Sequence, residues 1–99
     1  MLGRSDDVFT YPNGVHVHPI AIRGPLGHER NVVEYQALQT ARGVHVRFLA
    51  TGRVDERALA TSLEVALRRC GLVDPEVRLE HVPELPRQVS GKLKRFVPR

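Results

Sequence analysis

The sequence predicts a small two-layer α+β domain: an N-terminal β-hairpin followed by an antiparallel three-stranded sheet packed against helices. Three observations carry this expectation. A chain of 99 residues with 41% hydrophobic content has material for one modest core. Val44, Val46, Phe48 and Ala50 alternate with His45 and Arg47, the period of a sheet with one buried face. Leu59, Leu63, Ala66, Leu67 and Cys70 then recur at helical spacing, so one long amphipathic helix can cover that face.

Asp7 to Tyr11 and Val15 to His18 are short runs rich in β-branched and aromatic residues, joined by Pro12-Asn13-Gly14. Proline presets the φ of a turn's second position, and Asn and Gly tolerate left-handed backbone, so the two runs read as a hairpin. Ile20 to Leu26 could form a helical turn or two, although Gly24, Pro25 and Gly27 all weaken it. Val32 to Thr40 and Val44 to Thr51 are strand candidates separated by Ala41-Arg42-Gly43, a second hairpin. The helical stripe runs from Asp55, a fitting N-cap, to Cys70, with Gly71 where a helix commonly stops. Asp74-Pro75 makes a turn, and Glu76 to Val82 sets Val77, Leu79 and His81 against Arg78 and Glu80 as a further strand. Pro83 and Pro86 end regular structure, and the remainder reads as a loop running into a short extended end.

The formal charge of +4 is unevenly placed. Arg87, Lys92, Lys94, Arg95 and Arg99 crowd the last 13 residues without an acid, which leaves 10 cations against 11 acids, −1, over residues 1–86. A basic tail attracts phosphate. It lacks the interleaved aromatics on which nucleotide bases stack, so nucleic acid is not the expected partner. The single cysteine excludes an internal disulfide and any multi-cysteine zinc site, and no stretch approaches the roughly 18 apolar residues of a membrane span. A cytoplasmic location without a membrane partner is the expectation.

Ser90-Gly91-Lys92-Leu93-Lys94-Arg95 is the chemically suggestive segment. Glycine beside lysine lets backbone approach an anion while the ammonium supplies a point charge. It is not a P-loop, since Pro86 and Leu93 stand where Gly and Ser or Thr are required, and by itself the hexapeptide reads as a solvated basic terminus. His16 and His18 share one face of a strand but have no third ligand beside them, so they read as ordinary strand histidines rather than a metal site. Cys70 falls on the apolar stripe at a helix C-terminus, where the dipole opposes a thiolate, and reads as a structural thiol. None of Ser5, Ser62 and Ser90 sits in a G-x-S-x-G elbow, so an independent hydrolase is not supported.

Taken together, G-R-S-D-D at residues 3–7, the hairpin containing Gly14 with V-H-P at 17–19, and L-P-R-Q-V-S-G-K-L-K-R at 85–95 resemble the small C-terminal domain of acyl-adenylate-forming ligases. The V-V-E-Y-Q-A-L-Q strand looks most like the phenylacetate-CoA ligase branch. The resemblance implies that residues 1–99 form one lid domain, with a hinge at about 4–7 and a lysine loop at about 85–95. It implies an enzyme part, inactive alone, that works with a large N-terminal adenylation domain. That enzyme would join a carboxylate substrate to ATP with Mg, then pass the acyl group from AMP to a thiol acceptor such as coenzyme A. By resemblance Lys92 is the catalytic adenylation lysine, Asp6 the hinge, and Arg4, Gly14, Ser90 and Gly91 the residues lining bound nucleotide or thiol. The family's post-hairpin helix usually has an acid after its isoleucine, whereas Arg23 follows Ile22 here, which leaves the thiol acceptor open. The competing expectation is a free-standing basic module that uses its tail on nucleic acid or an acidic partner.

Overall fold

The computed structural model describes residues 8–85 and 95–99. In chain order the elements are β1 (Phe9–Thr10), β2 (His16–Val17), α1 (Pro19–Gly27), β3 (Val32–Gln39), β4 (Gly43–Ala50), α2 (Glu56–Cys70), β5 (Glu76–His81) and β6 (Phe96–Val97). β1 and β2 form the expected hairpin, with Phe9 opposite Val17. The other strands form one sheet in the order β5-β4-β3-β6, so the α+β class holds with a four-stranded rather than three-stranded sheet.

The strand directions also differ from the expectation. β3 and β4 run antiparallel, from Val32 opposite Ala50 to Gln39 opposite Val44, but β5 lies parallel to β4 and β6 parallel to β3. Alternation reports which face a strand buries and is silent about direction. Direction follows from the connection: a helix of 15 residues carries the chain back along the sheet before β5 begins, as a parallel neighbour requires. β6 falls in the short extended end expected at the C-terminus, and what was not foreseen is that it pairs with β3. Phe96 is 5% exposed and pairs with Ala37, so this short end packs into the core.

α2 forms as its pattern predicts. Asp55 caps it, its carboxylate accepting from the Ala58 amide at 3.0 Å, a contact worth about 1 kcal/mol, and the helix stops at Gly71 with φ +116°. Leu59, Leu63 and Leu67 are buried against the sheet. α1 is longer than its composition suggests, because Pro19 occupies the first turn, where no amide partner is lost, and Ile22 and Leu26 are fully buried. Each such burial contributes about 1.5–3 kcal/mol, enough to offset roughly 3 for interior Pro25 and 1 for Gly24. The helices and the hairpin's Phe9, Tyr11 and Val17 enclose one core with Ala37, Val44, Val46 and Phe96 of the sheet. On the other face Glu80 accepts from His45 at 3.1 Å and Arg47 at 3.3 Å. On the core-facing side His81 stacks on the buried Phe48 at 5.2 Å.

Candidate functional site

Of the site residues expected from the sequence, the structure places Gly14. Arg4, Asp6, Ser90, Gly91 and Lys92 lie outside the described residues. The described residues include Gly14 and the residues that flank the segment 86–94.

Gly14 closes the hairpin turn. Its amide donates to the Tyr11 carbonyl at 2.9 Å, and the Tyr11 amide in turn donates to the Val15 carbonyl at 2.9 Å. Asn13 holds the bend from the side, its carboxamide oxygen accepting from the Val15 amide at 3.2 Å. Gly14 has φ +86°, a left-handed backbone that favours glycine, and a Cβ built there would meet nothing within 4 Å. The backbone therefore presents an open face to whatever approaches this turn.

The turn is fixed from beneath by Tyr11. The ring is buried and its hydroxyl donates to the Gly43 carbonyl at 2.7 Å. Burial pushes the phenol up to about 12, with the neighbouring Cys70 thiol as a lesser cause, so it remains a donor at any ordinary pH. Burial also raises the pKa of Cys70, in keeping with a structural thiol rather than a nucleophile. Gly43 has its own constraint. A Cβ there would overlap the Glu76 backbone carbonyl, so the close approach of β5 requires glycine.

The segment that carries Lys92 is anchored at both described ends. Leu85, just before it, is buried. Just after it, the Arg95 carbonyl accepts from the Ala37 amide at 2.6 Å and the Arg95 guanidinium lies 5.8 Å from the centre of the Tyr35 ring. Phe96 meets the same ring edge to face at 6.0 Å. Gln39 extends the anchorage: its carboxamide accepts from the Arg99 amide at 3.0 Å and donates to the Thr10 carbonyl at 2.7 Å. One side chain thus ties the chain beyond β6 to the hairpin that carries Gly14. Sequence reasoning missed Tyr35 and Gln39 as anchors, although their placement four residues apart on one strand put both on one face.

Among the described residues no group of three His, Cys, Asp or Glu side chains is arranged to hold a metal, and His16 instead meets the Thr10 hydroxyl at 3.2 Å. No described helix is long and apolar enough to cross a membrane.

No protein-family model matches the chain, and no curated protein matches it. Among solved structures, apo MatB from Rhodopseudomonas palustris superposes with a TM-score of 0.67 over 94% of the chain at 25% sequence identity. The chain is similar to the C-terminal domain of an acyl-adenylate-forming ligase. It spans 19% of the length of MatB.

Proposed function

We propose that this chain is the lid of an ATP-dependent carboxylate-activating ligase and that Lys92 is its adenylation lysine. The observation that carries the reading is the match to an adenylate-forming enzyme over 94% of the chain, in a chain whose one Ser-Gly-Lys segment falls between the anchors Leu85 and Phe96. The V-V-E-Y-Q-A-L-Q strand favours the phenylacetate-CoA ligase branch, and a cytoplasmic setting follows from the need for ATP and coenzyme A.

In this reading, the anchors limit where the lysine can reach. Adenylation brings a carboxylate oxygen against the α-phosphate of ATP, with pyrophosphate leaving, and negative charge grows on the phosphoryl oxygens in the transition state. An ammonium positioned there stabilises the transition state more than the ground state, the condition for raising the rate. Ser90 and Gly91 give the backbone a close approach to the same phosphate, and Arg4 faces the nucleotide. The large domain holds most of ATP and its Mg²⁺, which neutralises phosphate charge when bound. Asp6 is the hinge about which the lid turns. After that turn Gly14, with its open face, fronts the thiol acceptor.

The test is complementation. The chain alone is expected to catalyse no ATP–pyrophosphate exchange. Combined with a large adenylation domain of the matching ligase it should support exchange, and Lys92→Ala should lower that gain by about 10²–10³-fold, the usual effect of one transition-state electrostatic contact. Exchange unimpaired in Lys92→Ala would overturn the assignment.

A further inference from the structure

β5 is the last strand in the order β5-β4-β3-β6, so one of its edges has no neighbour. On its paired edge the amides of Glu76 and Val82 donate to the carbonyls of Arg42, just before β4, at 3.2 Å and of Phe48 at 3.0 Å. Backbone groups alternate in direction along a strand, so the intervening Arg78 and Glu80 also face β4, while the N–H and C=O of Val77, Leu79 and His81 point to the open edge. These three have no backbone partner there among the described residues. Such an edge is a template for a further strand unless its charges oppose one.

The charges here select rather than oppose. Glu76, Arg78 and Glu80 alternate along the sheet face away from the helices, the face on which Glu80 meets His45 and Arg47. Both of those contacts use Oε1 of Glu80, which leaves Oε2 to accept from elsewhere. Arg78 is exposed and has no hydrogen-bond or ion-pair partner among the described residues.

A second copy of β5 can add antiparallel to this edge only where outward-facing residues meet outward-facing residues. Centring the two-fold axis on Arg78 sets Arg78 against Arg78 and Glu76 against Glu80, and centring it on Glu80 sets Glu80 against itself; like charges directly opposite are destabilising. Centring it on Val77 or on His81 brings Pro75 or Pro83, which lack an amide, opposite Leu79. An axis at Leu79 avoids both faults. There Leu79 exchanges amide and carbonyl with Leu79 of the second copy, and Val77 does so with His81. Arg78 and Glu80 then face each other on both sides of the axis, in the closer, non-hydrogen-bonded positions.

We propose that two copies of this chain associate through β5, joining their four-stranded sheets into one across a two-fold axis at Leu79. The association is separate from the lid reading, which involves the turn at Gly14 and the segment 86–94 and makes no use of this edge. An added strand of six residues buries less than the roughly 1,200 Å² of a standard interface, so the dimer is a weak one, with Kd on the order of 10⁻⁴ M.

Sedimentation equilibrium of the 99-residue chain from about 10 µM to about 1 mM brackets that value and should fit a monomer–dimer equilibrium. Hydrogen exchange identifies the surface. Raising the concentration should slow exchange at the Val77, Leu79 and His81 amides, open to solvent in the monomer, far more than at Arg78 and Glu80, which β4 protects in either state. Arg78→Glu and Glu80→Arg should each weaken the dimer at least about tenfold, since both pairs across the axis become like-charged. Mixed in equal amounts, the two variants should associate about as tightly as the parent chain, because every Glu then faces an Arg; this rescue also shows that neither variant has unfolded. A chain still monomeric at about 1 mM overturns the proposal and leaves the edge to a strand of another protein. So does Arg78→Glu dimerising like the parent, a mixture no tighter than either variant alone, or a dimer whose outward β5 amides exchange as fast as in the monomer.

Discussion

Tyr11 shows how much one side chain decides here. It closes the hairpin through its backbone and reaches the Gly43 carbonyl through its hydroxyl, so it ties the turn bearing Gly14 to the turn bearing Arg42. Its phenol is raised from 10.0 to about 12, and the sign of the pH effect follows. Between those values the unfolded chain has lost a proton that the folded chain keeps, so stability is fully present below pH 10 and falls as pH rises towards about 12. The loss is on the order of 2 kcal/mol. Urea midpoints at pH 8 and pH 11 should show this decline in the parent chain and much less of it in Tyr11→Phe. Cys70, also pushed up by burial, is present in both proteins and cancels in the comparison. At pH 8 the variant should be less stable by about 1 kcal/mol, the value of a typical hydrogen bond. Equal alkaline losses in the two proteins would show that Tyr11 does not titrate as its burial requires. None of this was legible from the sequence, where Tyr11 is only the last residue of a β-rich run.

At the scale of elements, what could be read depended on whether a pattern reports on its own segment or on a distant one. α2 was readable from cap to stop because Asp55, the leucine stripe and Gly71 lie within one stretch of chain. β4 was readable because a half-buried strand alternates whatever it pairs with. The parallel placements of β5 and β6 depend on long-range pairing and left no local mark. Gly43 illustrates the difference. It reads as a turn glycine, yet the structure gives it a second reason, the Glu76 backbone lying where a Cβ would go. Gly43→Ala must push β5 away from β4, an overpacking cost of about 1–3 kcal/mol. The melting temperature should drop by roughly 4–8 °C for each kcal/mol, and amide exchange should quicken first at Arg78 and Glu80 of β5. A melting temperature equal to that of the parent chain would mean that the two strands can separate freely.

For the whole molecule, the net charge of +4 resolves into a domain near neutrality and a cationic C-terminal segment, and the lid reading gives that division a purpose. A lid that serves two reactions must present two surfaces in turn, one carrying Lys92 and one carrying Gly14, so substitutions at the two sites should damage different steps. In the lid reading Lys92→Ala should depress acyl-adenylate formation and leave thiol transfer from preformed acyl-AMP within about threefold, because the proposed contribution of the lysine is to charge that builds during adenylation. Gly14→Leu should do the opposite. A Cβ there would meet no described atom within 4 Å, so the main folding cost is that of the left-handed backbone, about 1–2 kcal/mol, and the chain should remain folded. If this face fronts the thiol, as the lid reading proposes, the leucine should cut transfer at least about tenfold while ATP–pyrophosphate exchange stays near the parent rate. Both half-reactions can be followed with the lid joined to a large adenylation domain, one by pyrophosphate exchange and the other by thioester formation from synthetic acyl-AMP. If either substitution depresses both half-reactions alike, the two sites do not act in alternation, and the rotating-lid reading fails even if Lys92 proves essential.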